Sequence, residues 1–89
     1  MDFGKVTFEG KIFKLMEEAD FTNRQLPSQF VNYHEVTKGE TYDAEFSADA
    51  VDEDGIGHQV YWMFEFVKGN EPELDSLNWD NPVDVRLVK

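Results

Sequence analysis

Residues 40–67 carry the clearest pattern in the chain. Tyr42, Ala44, Phe46, Ala48 and Ala50 alternate with Asp43, Glu45, Ser47 and Asp49, the two-residue period of a strand with one buried face. A turn cluster, Asp52-Glu53-Asp54-Gly55-Ile56-Gly57, follows. Residues 58–67 then place Val60, Trp62, Phe64 and Phe66 on one face and Tyr61, Met63 and Val67 on the other. Apolar character on both faces predicts a central strand, and the two runs together predict a β-hairpin. Burial of the aromatic face selects the register, because a one-residue slip would turn every side chain over. The register favoured on that ground sets Phe46 opposite Phe64, Ala48 opposite Trp62 and Ala44 opposite Phe66, with Gly57 allowing a longer loop or a bulge. Its cost is Glu45 facing Glu65, with Asp43 and Asp49 on the same face, since like charges directly opposite destabilise.

The flanking segments are shorter. Lys5–Phe8 and Lys11–Leu15 surround Glu9-Gly10 and predict a tighter hairpin. A helix from Lys11 competes, since Ile12, Leu15, Met16 and Ala19 fit a spacing of three and four, but the turn favours strands. Residues 20–29 read as a loop and 29–36 as a further strand. Asn70 and Glu73 are spaced as a helix cap and its third position, predicting a turn or two through Leu77. Val83, Val85 and Leu87 alternate with Asp84 and Arg86 as a final strand. The expectation is a mainly β single domain spanning 1–89: a small antiparallel barrel or sandwich of five to six short strands with room for one short helix, or else an α+β arrangement.

Composition narrows the functional classes. Thirteen aromatic residues, eight of them Phe, supply a large apolar stock for 89 residues, enough for one core. There is no cysteine, which excludes disulfides and thiolate chemistry and leans towards a reducing compartment. Charged residues interrupt every early apolar run, and no run approaches the ~20 residues of a membrane helix. A soluble, cytoplasmic protein without membrane contact is expected. The net charge is −11. Residues 40–84 hold thirteen acids against Lys68 alone, whereas the remainder is nearly balanced. Direct nucleic-acid binding needs the opposite sign, so a basic protein surface is the expected partner. The same acid density favours a monomer over an oligomer.

The catalytic and metal-binding candidates are weak. Asp52, Asp54 and Gly55 superficially match a calcium loop, but its first and twelfth positions would fall on Ala50 and Tyr61, neither able to ligate. Turn chemistry accounts for the cluster. His34 and His58 are too few for a metal site, and Ser28, Ser47 and Ser76 lack a nucleophile context. No catalytic residue, metal or cofactor is expected. The candidate protein-binding residues are instead Asp43, Glu45, Asp49, Tyr61, Met63 and Glu65, an apolar centre ringed by acids, together with Trp79. That tryptophan lies in a polar loop, either as a core cap or as an exposed anchor. The expectation is therefore a small, acidic, non-enzymatic interaction domain. The alternative is a nucleic-acid mimic, with Asp43, Glu45 and Asp49 projecting at multiples of ~6.8 Å in place of phosphates.

Overall fold

The computed structural model describes residues 3–88. Its first element is the hairpin of β1 (Lys5–Phe8) and β2 (Lys11–Leu15), paired antiparallel with Phe8 opposite Lys11. Glu9 and Gly10 both have positive φ, 51° and 79°. Such a two-residue turn matches the right-handed twist of its strands, so the strand reading holds and the helix from Lys11 does not form. Val6, Phe13 and Leu15 face the core.

The spine is the hairpin of β4 (Thr41–Val51) and β5 (Gly57–Val67), eleven residues each. Its inner face carries Tyr42, Ala44, Phe46, Ala48 and Ala50 against Val60, Trp62 and Phe66, all buried. Trp62 is fully enclosed; removing ~150–250 Å² of indole from water contributes roughly 4–6 kcal/mol. The faces are those expected, but the register differs by two residues. Phe46 stands opposite Trp62, Ala44 opposite Phe64 and Ala48 opposite Val60. Asp52 is the reason. Its Oδ1 accepts the N–H groups of Asp54 and Ile56, both at 2.9 Å, and its own N–H donates to the Ile56 carbonyl. Residues 52–56 are thereby committed to the loop, and the ladder closes earlier, at Val51 and Gly57. The acid facing Glu65 is therefore Asp43, and Glu45 faces Met63.

One edge of β4 is filled along its length. β2 pairs with its end, and β3 (Asp20–Phe21) pairs with Ser47 and Phe46. β3 lies inside a segment expected to be loop throughout. The strand expected at 29–36 is absent: only Val31 aligns with β4, through the Asp43 N–H. Asn32 is buried, with its Oδ1 accepting the Leu26 N–H at 2.8 Å and its Nδ2 donating to Glu35 at 2.8 Å. Such side-chain bonds compete with a ladder, and a 3-10 turn, Tyr33–Glu35, follows. The expected helix near Asn70 is likewise reduced to a 3-10 turn at Leu74–Ser76. Glu71 is drawn away to the Tyr42 hydroxyl and the Gly69 N–H. β6 (Asp84–Leu87) then pairs with the first part of β5.

The result is one antiparallel sheet of six strands, ordered β1-β2-β4-β5-β6 with β3 beside β4. It does not close, so the mainly β expectation holds in its open, sandwich-like form and not as a barrel. The 70–80 loop covers the inner face. Trp79 packs edge-on against Phe46, Phe64 and Trp62, with ring centroids 5.0–5.4 Å apart. Extents of 44 × 26 × 20 Å and a radius of gyration of 14.0 Å exceed the ~12 Å of a spherical domain this size. Length comes from the long central hairpin. Among the described residues no helix is long and apolar enough to cross a membrane.

Candidate protein-binding face

The candidate residues divide between the two faces of the sheet. Asp43, Glu45 and Asp49 of β4 and Tyr61, Met63 and Glu65 of β5 all project outward, as their alternation requires. Trp79 belongs to the inner side. Its Nε1 donates to the Leu74 carbonyl at 2.9 Å, and its carbonyl accepts the Trp62 indole N–H at 2.9 Å. These contacts make it a cap on the core, the first of the two roles considered for it.

Glu45 differs most from the pattern suggested by its neighbours. It is 5% exposed, and Arg24 holds it bidentately: Nη2 donates to Oε2 at 2.7 Å and Nε to Oε1. Thr22 adds its hydroxyl at 2.9 Å. The Arg24 bonds, more than the Thr22 one, hold the Glu45 carboxyl below its usual value against the opposing effect of burial. Arg24 and Arg86 also lie over the Tyr61 ring, at 6.0 and 5.0 Å from its centroid. The regular row of three carboxylates is thus interrupted at its centre, leaving Asp43 and Asp49 ~20 Å apart along the strand.

Sequence reading missed both arginines as part of this face, because Arg24 comes from the loop after β3. The available signal was residue type: they are the chain's only two arginines, and a planar guanidinium suits a carboxylate bidentately.

Among the described residues, Asp43 and Glu65 make no ion pair. They are direct cross-strand partners. The Lys68 N–H donates to the Glu40 carbonyl, so the hydrogen-bonded pairs of this ladder are the even-numbered ones. Asp43 and Glu65 therefore form a non-hydrogen-bonded pair, the kind in which side chains approach most closely. One Asp43 oxygen accepts the Val31 N–H at 2.8 Å, which fixes the carboxylate without neutralising it. Among the described residues no ion pair includes Asp43, Asp49 or Glu65. Met63, half-buried, lies between Glu65 and the Arg24–Glu45 pair.

Elsewhere, His58 stands 3.9 Å from Asp52 with its ring edge-on to Phe13. Among the described residues no three of His, Cys, Asp and Glu converge where a metal could be held. No protein-family model, curated protein or solved structure matches this chain.

Proposed function

We propose that this chain is a non-enzymatic protein-interaction domain whose outer sheet face binds a basic protein surface. The observation that carries the reading is the Asp43–Glu65 pair. Two carboxylates face each other on the central strands, in the closer kind of pair, and neither makes an ion pair among the described residues. Like charges so placed work against folding by ~0.2–1 kcal/mol. A partner's lysine or arginine would relieve that repulsion. Met63 and the rim of Tyr61 supply the apolar contact that an interface centre needs. A cytoplasmic setting belongs to the same proposal, supported by the cysteine-free composition.

The test is affinity capture with the wild-type chain and an Asp43→Asn/Glu65→Gln double variant, washed in steps of rising salt. The proposal expects a basic partner retained at low salt, released by high salt, and not retained by the variant. Equal retention by both chains would remove this face from the interaction.

A further inference from the structure

The outer edge of β5 is only half used. The Tyr61 carbonyl accepts the Val83 N–H at 2.8 Å, and the Gly57 carbonyl accepts the Val88 N–H at 3.1 Å. Odd-numbered residues of β5 therefore aim their backbone groups towards β6, and even-numbered ones towards β4. β6 ends at Asp84, opposite Tyr61, whereas β5 continues to Val67. Met63 and Glu65 consequently turn an N–H and a C=O each to an edge where no described residue pairs with them. Past them, the Val67 carbonyl is taken by the Asn70 N–H. The sequence itself keeps this edge clear. The Tyr61 carbonyl takes the Val83 N–H although its ladder partner is Asp84, so the regular register lapses there, and the residue before Val83 is Pro82, which has no N–H to give.

We propose that residues 63–67 of β5 accept an extended segment of a basic partner as an added antiparallel strand, lying in line with β6. The proposal deepens the interaction-domain reading and rests on it for the sign of the partner's charge. Main-chain bonds to Met63 and Glu65 would supply the attachment, and side-chain alternation the selectivity. On the outer face the added strand would place a lysine or arginine beside Glu65, with Asp43 just beyond. On the inner face its next residue would meet Phe64, half-buried and 5.0 Å from the Trp79 ring. The fitting segment therefore alternates basic and apolar residues. A second copy of this chain fits poorly, since it brings its own Glu65 to the same edge and another charge of −11; charged residues on an edge act against such self-pairing.

The probe is an acetylated, amidated nine-residue peptide of alternating lysine and valine, with amide exchange at Met63 and Glu65 followed by NMR. Saturating peptide is expected to slow exchange at both amides by about tenfold or more. The same peptide N-methylated at its lysines, whose N–H groups would face the edge, is expected to give no slowing. A glutamate–valine peptide is expected to give none either. Binding of the lysine peptide that perturbs Asp43 and Glu65 while leaving both amides fast would overturn strand addition and leave the acidic-face reading standing. Equal effects of the lysine and glutamate peptides would overturn both. Protection that rises with protein concentration in the absence of peptide would assign the edge to a second copy and overturn the proposal.

Discussion

Glu45 and Asp43 are two residues apart on one strand face, yet their energetics run in opposite directions. Glu45 is buried and held by Arg24, itself 44% exposed along its side chain. Arg24→Ala leaves a carboxylate without its cation, and the solvent reaching that side keeps the expected cost to ~1–2 kcal/mol, read from denaturant unfolding at neutral pH. Because the folded pKa of Glu45 is lowered, the pair's stabilisation is present in full above the ordinary carboxylate value of ~4.3. It is lost as pH falls through the lowered folded value. The Arg24→Ala chain is therefore expected to lose less stability than wild type on acidification below about pH 5. Asp43→Asn is expected to do the reverse of most surface substitutions and stabilise by ~0.2–1 kcal/mol. That gain is expected to shrink in 1 M salt, where screening reaches ~3 Å; a destabilised variant would mean the Val31 contact outweighs the repulsion.

The β1–β2 turn shows how far local sequence determines an element. Glu9 adopts a positive φ that asparagine tolerates better, so Glu9→Asn is expected to raise stability by ~0.5–1 kcal/mol, measurable as a higher unfolding midpoint. Both hairpins and the last strand were legible because alternation, turn residues and burial agree there. Other elements were not, and the reasons are side chains that act at a distance. Asp52 lengthens a loop by bonding two N–H groups, and Asn32 and Glu71 take bonds that would otherwise continue regular structure. The candidate face was legible as a set, since a two-residue period fixes which side chains share a face. Its chemistry was not, because Arg24 reaches Glu45 across 21 residues. The open edge of β5 had one local sign, Pro82, which gains meaning only once β6 is known to run beside β5. Trp79 closes the 70–80 loop on the core by ring contacts and two indole bonds. Trp79→Ala is expected to cost ~3 kcal/mol, visible as an early thermal transition, with Trp79→Phe recovering much of the loss.

At the scale of the whole molecule, a long two-stranded spine, residues 41–67, carries seven acids and no lysine or arginine, and its two edges are treated unequally. The β4 edge is bonded by β2, β3 and Val31, whereas among the described residues the β5 edge is bonded by β6 as far as Tyr61 and then again, by the Asn70 N–H, at Val67, leaving Met63 and Glu65 between. With −11 charges on 89 residues, self-repulsion opposes the folded state. Raising salt from 0.01 to 0.15 M shortens the screening length from ~30 to ~8 Å, and the unfolding midpoint is expected to rise with it. The central claim is that the Asp43–Glu65 pair, which makes no ion pair among the described residues, borders a strand edge open to a partner. Amide exchange of the free protein, residue by residue along β5, tests it most directly. Trp62 and Phe64, bonded to β4, are expected to exchange slowly, with Met63 and Glu65 between and beside them exchanging at rates near those of an exposed loop. Protection of Met63 and Glu65 equal to that of Phe64 would show the edge already closed and contradict the account.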